Sequence, residues 1–388
     1  MSRIRYILLL FALCTSIHAL AVQDSLRFSL LTCEPGQEIY TLFGHTALRC
    51  ENRNAHTDVV YNYGLFSFDT PNFIMKFILG LTDYRLGITP FQYFAADYAM
   101  RGWPIHQQVL NLNAEEKARL LELLETNYLP GNRVYRYNYF YDNCTTRARD
   151  QVEKALTGRL VYPDPYEDRT FRSILHEFTA GSAWDELGID LCLGAGADKL
   201  IDERLQQFAP FYMKDYASRA YIEDADGTRR PFVTEETLVV DIEPEENWKG
   251  FPLSPLACAM LLLVVEIAVS YVQVRRRRVY WGWEALLMVG QGLAGCIVAF
   301  LFFFSIHPTV DTNWLLWIFN PIPLIYAPVS AYKAAKHKQD IYHKINIAYL
   351  TIFIVIMALG VQDFPVTVVP LALTLLAASV SHTLAMKK

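Results

Sequence analysis

Charged side chains are scarce in this chain of 388 residues: Asp, Glu, Lys and Arg make up 19% of it, against 53% hydrophobic residues. So low a charge content excludes a wholly soluble protein of this size. The net charge of −5 is small, so no nucleic-acid partner is expected. The apolar excess lies after residue 250, whereas the earlier part alternates polar and apolar residues like a globular domain.

The sequence also lacks the common cofactor and metal motifs. It contains no glycine-rich phosphate loop, no H-E-x-x-H and no C-x-x-C, and the "GAG" run at 194–196 has no dinucleotide-binding context. We therefore expect no metal site and no cofactor. The seven cysteines are too scattered for a dense disulfide framework. Cys33 and Cys50 flank a turn at 35–36, so a disulfide between them is the one pairing that the sequence suggests.

The N-terminus is typical of a secretory signal peptide covering residues 1–21. Arg3 and Arg5 are followed by the apolar run "YILLLFALC" and by an A-x-A cleavage site at 19–21. Cys14 follows a leucine, where a lipoprotein signal needs a small residue, so the protein is not itself expected to be a lipoprotein. An uncleaved anchor is the alternative. In both cases the part that follows is exported.

Lysine and arginine are absent from two loops, "HPTVDTN" and "QDFP", of the apolar C-terminal part. Basic residues instead collect in "RRRR", in "KAAKHKQDIYHK" and at the C-terminus. Because basic loops stay in the cytoplasm, this distribution predicts five membrane spans after an exported domain. Each span is near the roughly 20 residues that a bilayer requires. They are expected at 252–274, 284–306, 314–332, 345–361 and 366–385.

These features predict a multi-pass membrane protein with a large exported domain. The expected domains are the signal peptide, an exported domain at 22–238, an acidic linker at 239–251 and a transmembrane domain at 252–388.

The stretch "FYDNCTTRARDQVEKAL" (140–156) places one cysteine at the predicted start of a helix. Asp142 and Asn143 are turn and N-cap formers, so Cys144 falls in the first turn. The free N–H groups and the dipole of a helix start stabilise a thiolate. The neighbouring threonines and arginines make the surroundings polar, which favours a reactive thiol over the alternative of an inert buried cysteine.

A cysteine nucleophile needs a base, and His45 is the best candidate among the histidines of the exported part. It lies in the β-rich run "IYTLFGHTALRC", where Gly44 lets another group approach closely. The alternative for His45 is an ordinary half-buried strand histidine. His56 lies in a polar loop and is expected in solvent, and His176 in a charged helical stretch is expected at the surface.

The following strand, "DVVYNYGLF", offers a third polar residue to orient the His45 ring. We favour Asn62, because its amide oxygen can accept from an imidazole N–H. Strand alternation puts Tyr61 and Tyr63 on the opposite face from Asn62, but it does not tell which face meets His45.

The order of a strand histidine, a polar second strand and a cysteine at a helix start is similar to circularly permuted papain-like proteins of the NlpC/P60 superfamily, which include the lecithin:retinol acyltransferase group. More closely, "SLLTCEPGQEIYTLFGHTALR", "VYNYGLFSFDTPNF", "LTDYRL" and "YNYFYDNCTTRARD" together resemble the exported domain of the Lnb-type bacterial lipoprotein N-acyltransferases. The resemblance runs over most of residues 25–220, and "HPTVDTNWLLW" with the five spans resembles the family's membrane part.

This resemblance implies an α+β fold: a permuted papain-like exported domain followed by a five-helix transmembrane bundle. It also implies a multi-pass protein of the inner membrane with the catalytic domain in the periplasm. It implies that Cys144 is the nucleophile and His45 its base. The implied reaction moves an acyl chain from a phospholipid, through a thioester, to the N-terminal diacylglyceryl-cysteine amine of a lipoprotein. Phospholipids and diacylated lipoproteins are therefore the expected partners. The oligomeric state does not follow from the sequence.

Four further residues are candidates for contact with substrate or lipid. Asn143 adjoins the cysteine, and His307 lies in the outer loop "HPTVDTN". Phe77 belongs to "TPNFIMKFILGL" (70–81), whose spacing predicts a helix that either contacts lipid or packs in an ordinary core. Glu266 lies within a span, where an ionisable group marks a functional site unless it is protonated or paired inside the bundle.

Two other functions fit the sequence. A papain-like amidase or peptidase would cut cell-wall peptides, although five spans suit a lipid-embedded substrate better. A membrane receptor or accessory protein would only bind its ligand, and it would show no thiol chemistry at Cys144.

Overall fold

The computed structural model describes residues 25–163, 167–243 and 251–387. These residues form two compact units. The first comprises 25–77, 81–163, 167–169 and 200–243, and the second comprises 78–80, 170–199 and 251–387. The predicted signal peptide and most of the predicted linker lie outside the described residues. The domain limits expected from the sequence therefore stay predictions.

The first unit is built on a seven-stranded antiparallel sheet with the strand order β12-β5-β1-β2-β3-β4-β6. The strands of the described chain are β1 (Leu26–Cys33), β2 (His45–Asn52), β3 (Thr57–Leu65), β4 (Asp83–Pro90), β5 (Ile105–Leu110), β6 (Val134–Arg136), β7 (Arg159–Val161), β8 (Arg169–Thr170), β9 (Leu200–Ile201), β10 (Tyr221–Glu223), β11 (Arg229–Pro231) and β12 (Val233–Val240). Strands β11, β10 and β7 make a second, smaller sheet.

Helices interrupt the strands throughout this part of the chain, which makes the first unit an α+β domain. The helices before residue 243 are α1 (Phe73–Leu79), α2 (Phe91–Met100), α3 (Ala114–Tyr128), α4 (Cys144–Ala155), α5 (Phe171–Thr179), α6 (Ala183–Cys192), α7 (Glu203–Gln206) and α8 (Pro210–Arg219). Of these, α5 and α6 belong to the second unit.

Both faces of the large sheet are covered, which explains why β1 reads "LRFSLLTC" rather than as a strict alternation of polar and apolar residues. Leu30 faces a core that includes Leu120 and Val152, which lie on α3 and α4. The next residue, Leu31, points to the other face and packs in a core with Phe94 of α2. The sheet is therefore held in the middle of the unit, and β2 and β3 are supported from both sides.

The suggested disulfide between Cys33 and Cys50 is wrong, because both are buried free thiols. In the register of β1 and β2, Cys33 lies opposite His45 and Cys50 lies opposite Phe28. The two cysteines are thus five residues apart along the ladder, about 17 Å at the rise of a strand, which is too far for a disulfide.

The second unit contains four helices that are long and apolar enough to cross a membrane: α9 (Pro255–Arg276), α10 (Trp281–Phe304), α12 (Ile341–Ala358) and α13 (Val368–Ala385). They correspond to the first, second, fourth and fifth predicted spans. The third predicted span, 314–332, differs. Its helix α11 (Ile322–Ala335) has 14 residues, about 21 Å of rise, and is preceded by short 3-10 turns. Pro321 is the N-cap of α11 and Pro323 lies in its first turn, where proline is favoured, so these two residues mark the start of the helix; Pro328 lies inside it.

Residues 170–199 also belong to the second unit, although the sequence groups them with the exported domain. Gly194 lies so close to the loop before α11 that a Cβ there would be 2.4 Å from the carbonyl oxygen of Thr309. The Asn313 amide donates to the backbone carbonyl of Leu191 at 2.9 Å. Nothing in the local sequence signals this grouping, because its partners lie more than a hundred residues away.

Candidate active site

Cys144 is the first residue of α4, as its N-cap chemistry predicts. The Asn143 side-chain oxygen accepts from the backbone N–H groups of Thr145 and Thr146, at 2.8 and 3.0 Å. In return, the Thr146 hydroxyl accepts from the backbone N–H of Asn143 at 2.8 Å, which completes a capping box. The Asn143 amide nitrogen also donates to the backbone carbonyls of Tyr139 and Phe208. Asn143 is thus the anchor of the helix start that presents the thiol.

His45 is the first residue of β2, and its side chain lies close enough to the Cys144 thiol to lower the pKa of that thiol. The His45 Nε2 atom lies 2.7 Å from the side-chain oxygen of Asn62 on β3. Because an amide oxygen can only accept, the Nε2–H donates to Asn62, and Nδ1 remains for the thiol. The structure therefore brings Cys144, His45 and Asn62 together, with the polar face of β3 turned towards the histidine.

The pKa values of Cys144 and His45 shift in directions that favour the thiolate and the imidazolium. Burial alone would raise the pKa of the Cys144 thiol, but the charge and hydrogen bond of His45, the backbone N–H of Thr46 and the Thr145 hydroxyl lower it from 9.0 to about 7. Burial lowers the pKa of His45, yet the neighbouring thiolate and the Asn62 oxygen raise it above its ordinary value of 6.5. A thiolate–imidazolium pair is therefore accessible near neutral pH.

Two glycines shape the site through left-handed backbone conformations. Gly44, which was expected to permit a close approach, has φ +72°, and a Cβ there would lie 2.6 Å from the carbonyl oxygen of Cys33. Gly64 has φ +92° and lies against the side chains of Cys144 and His45: a Cβ there would be 3.5 Å from Cys144 Cβ and 3.6 Å from His45 Cε1. Sequence reasoning missed Gly64, although a glycine inside a strand pattern signals such a bulge. The register of β3 and β4 shifts at this point.

The sequence also gave no indication of the hydroxyl groups around the thiol. The Thr145 hydroxyl lies 3.8 Å from the Cys144 sulfur and donates to the Thr46 hydroxyl at 3.0 Å. Both threonines are fully buried. They connect the start of α4 to the strand that carries His45, so they hold Cys144 and His45 in register.

The other exported histidines have separate surroundings. His56 occupies an exposed turn with φ +51°, as its polar loop predicts. His106 lies 2.7 Å from a Glu34 carboxylate oxygen. His176 is not the simple surface residue that was expected: in the second unit it contacts both carboxylate oxygens of Asp190 at 3.0 Å. Asp190 in turn accepts from the fully buried Arg172.

Of the lipid-contact candidates, Phe77 lies on α1 and is 40% exposed. Only Phe73 is buried on that helix, so α1 is not an ordinary core helix. Glu266 and His307 belong to the second unit. Glu266 is fully buried and accepts from Ser270 at 2.5 Å and Trp283 at 2.6 Å, which is the paired alternative considered for it.

A second buried ionisable cluster lies in the helical bundle. The Glu284 carboxylate is 2.7 Å from His382 Nδ1, and the His343 ring stacks on His382 with centroids 3.7 Å apart. Their ligand atoms lie within 4.8 Å of one another, a spacing that a metal ion can use. The two imidazole rings are within 18° of parallel, so their lone pairs do not converge on one point. The geometry suits a buried hydrogen-bonded pair better than a metal site.

Taken together, the described residues make a membrane protein that carries an α+β domain with a cysteine, a histidine and an asparagine in hydrogen-bonded sequence. Residues 19–176 match the family model of the Lnb N-terminal periplasmic domain, and residues 245–388 match that of the Lnb transmembrane domain. The chain belongs to the Lnb family. Comparisons with curated proteins and with solved structures gave no match.

Proposed function

We propose that the protein is a lipoprotein N-acyltransferase that works through a Cys144 thioester. The observation that carries this proposal is the Cys144–His45–Asn62 arrangement, with a thiol pKa of about 7, in a chain of the Lnb family. A thiol that is ionised near neutral pH and paired with a histidine is equipped for acyl transfer. No cofactor is needed for this chemistry.

In the first half-reaction, the Cys144 thiolate attacks an ester carbonyl of a glycerophospholipid and forms a C–S bond. Backbone N–H groups at the start of α4 stabilise the oxyanion. The C–O bond then breaks, and the His45 imidazolium donates its proton to the leaving glycerol oxygen. The products are a lysophospholipid and an acyl thioester.

In the second half-reaction, the N-terminal amine of a diacylated lipoprotein attacks the thioester carbonyl. Neutral His45 accepts the proton that the amine loses, and Cys144 leaves as a thiolate. Asn62 holds the Nε2–H of His45 in both halves, so Nδ1 stays directed at the reacting atoms. The thiolate–imidazolium pair is regenerated.

The membrane topology that fits this function has the catalytic domain in the periplasm and five crossings of the inner membrane. Helix α9 ends at the basic run 275–278, and α10 returns to the outside. Lys333 lies in the last turn of α11, and Lys336 and Lys338 follow the helix, so the stretch 314–335 must cross back for them to face the cytoplasm. Helix α12 then crosses to the outside, and helix α13 returns to the cytoplasmic side. In this proposal the signal peptide is 1–21, the exported domain 22–238, the linker 239–251 and the transmembrane domain 252–388.

The competing function is that of an amidase or peptidase that cleaves cell-wall peptides with the same three residues. The two differ in the fate of the acyl group, so mass spectrometry of a lipoprotein N-terminus distinguishes them. Cells that contain the protein should yield triacylated lipoprotein, and cells without it, or with Cys144→Ser, should yield the diacylated form. Identical N-termini in all three strains would rule out the proposal.

A receptor or accessory protein is the third candidate. It requires no activated thiol, so the discriminating reagent is a thiol-directed probe at neutral pH. Rapid labelling of Cys144, but not of the buried Cys33 and Cys50, is the result expected of an enzyme.

A further inference from the structure

A row of stacked aromatic rings leads away from the catalytic thiol in the first unit. Its members, here called the aromatic track, are Tyr137, Tyr84, Phe66, Phe73 and Phe77. Successive ring centroids are 4.1, 4.9, 5.3 and 6.4 Å apart. The four interplanar angles are 15°, 25°, 15° and 20°, so the planes of the rings are nearly parallel along the row.

The inner end of the aromatic track adjoins the thiol. Gly64, which lies against Cys144 and His45, is two residues before Phe66 on the same stretch of chain. Cys144, Phe66 and Tyr137 pack against the same core cluster, which includes Tyr84 and Phe73. The charge of Cys144 also contributes to the raised pKa of Tyr84 and of Tyr137, after the larger effect of burial. An acyl group bonded to the Cys144 sulfur would therefore have these rings beside its first carbons.

The outer end of the track opens onto an exposed apolar surface. Its large side chains, here called the apolar lip, are Tyr40 (53% exposed), Phe68 (61%), Ile74 (71%) and Met75 (50%). The lip is joined to the track by ring contacts, such as that between Phe68 and Phe73 at 5.0 Å. Single exposed apolar residues are ordinary, but a contiguous set that continues into a site marks a binding surface.

The chain itself indicates that the occupant is a lipid. Directly after Phe77, the segment 78–80 belongs to the second unit. There the Ser305 hydroxyl donates to the carbonyl of Ile78 at 2.7 Å, and the Ile306 N–H donates to the carbonyl of Leu79 at 3.0 Å. Ser305 and Ile306 immediately follow α10, a helix long enough to cross a membrane. The last ring of the track is thus one peptide bond away from a segment that is fixed to the end of a membrane helix.

We infer that the aromatic track is the acyl-chain binding site of the donor phospholipid. The chain enters from the outer leaflet over the apolar lip and lies along the ring edges, with its ester carbonyl at Cys144. The inference rests on the proposed acyl transfer for its direction, with the carbonyl end at the thiol and the methyl end at α1. It makes the track, rather than the membrane helices, the part that selects the acyl chain.

The test is photocrosslinking of the full-length protein in vesicles of phosphatidylcholine that carries a diazirine on one acyl chain. The Cys144→Ala variant is used to prevent turnover, and the crosslinked peptides are mapped by mass spectrometry. A diazirine near the carbonyl should label the peptides of Tyr137 and Phe66. A diazirine at the chain end should label the peptide of Phe73 and Phe77. If both positions label only α1, that helix merely touches the bilayer and the inference is overturned.

A matched pair of substitutions controls for the loss of apolar surface. Ile74→Glu, in the lip, should lower labelling of the track about tenfold, since a carboxylate resists contact with an acyl chain. Met100→Glu changes an 81% exposed side chain outside the track and should leave the labelling unchanged. Labelling of the membrane helices, which is expected to be equal in all variants, reports intact insertion. Equal track labelling in the Ile74→Glu and Met100→Glu variants would refute the inference.

The same experiment separates this inference from the proposed function. With Cys144 restored, a thioester on Cys144 without positional labelling of the track would support the proposed function and contradict the acyl-chain binding site. Positional labelling of the track without any thioester would support the binding site and contradict the proposed function.

Discussion

Replacing His45 with alanine should move the ionisation of Cys144 by about two pH units. In the wild type the charge of His45 and its hydrogen bond are the largest effects that lower the thiol pKa to about 7, against a burial effect that raises it. Without His45, only the hydrogen bonds from the Thr46 N–H and the Thr145 hydroxyl remain to lower the thiol pKa against the effect of burial. We therefore expect the pKa of Cys144 in His45→Ala to return to about 9 or above.

The assay is the rate of Cys144 alkylation by iodoacetamide as a function of pH, measured by mass spectrometry of the Cys144 peptide. At pH 7 the ionised fraction should fall from about one half to about 1%. The more basic thiolate is about eightfold more nucleophilic, so the rate at pH 7 falls only about sixfold. The midpoint of the profile is therefore the sharper readout, and it should move from about 7 to about 9.

The matched controls are His56→Ala, in an exposed turn, and His176→Ala, in the second unit, neither of which should move the midpoint. A midpoint that stays near 7 in His45→Ala, or that shifts in either control, would refute this prediction.

The directions of the pKa shifts of Cys144 and His45 also predict a bell-shaped pH profile of acyl transfer. Activity should rise as Cys144 ionises around pH 7, and it should fall once pH exceeds the raised pKa of His45, because the imidazolium proton is then missing for the leaving group.

Four further outcomes are expected. Asn62→Ala removes the acceptor of the His45 Nε2–H, so kcat should drop at least tenfold in steady-state assays while alkylation of Cys144 persists; unchanged kcat would remove Asn62 from the site. Gly64→Ala forces a Cβ on a backbone with φ +92° and should cost about 1–3 kcal/mol, seen as a lower Tm. Asn143→Ala removes the N-cap of α4 and should cost about 1–2 kcal/mol of unfolding free energy, whereas Asn143→Asp should recover part of it; equal losses would argue against the capping role. A chain ending at residue 250 retains 170–199 without the Thr309–Asn313 loop that packs on it, so it should aggregate, which a soluble monomer in size-exclusion chromatography would contradict.

The position of Cys144 at a helix start could be predicted because the signals for a helix start are local. Asn143 and the polar residues after Cys144 determine the cap within four positions of chain, and the structure has the helix begin at Cys144. The choice of Asn62 over the adjacent tyrosines depended instead on the pairing of β2 and β3. That register sets Leu48 opposite Tyr61, and the bulge at Gly64 then alters the alternation, so neither could be read from one strand alone.

The remaining differences come from distant contacts. The sequence of α1 allowed either a core helix or a lipid-contacting helix, because its apolar residues surround most of the helix and give no polar face to orient it. Residues 170–199 have the composition of an exported segment, yet Gly194 and Asn313 pack them into the second unit. In the third predicted span, hydropathy counted residues that Pro321 and Pro323 keep out of the helix.

The most direct test of the account is to look for the acyl group on Cys144 itself. The purified full-length protein is incubated with a phospholipid of defined acyl chain, and the Cys144 peptide is measured by mass spectrometry. The account predicts a mass increase of one acyl group that hydroxylamine removes and that a diacylated lipopeptide with a free N-terminal amine discharges as its N-acyl product. Transfer of the acyl chain to the lipopeptide by the Cys144→Ala variant, at the wild-type rate and without any acyl-enzyme, would contradict it.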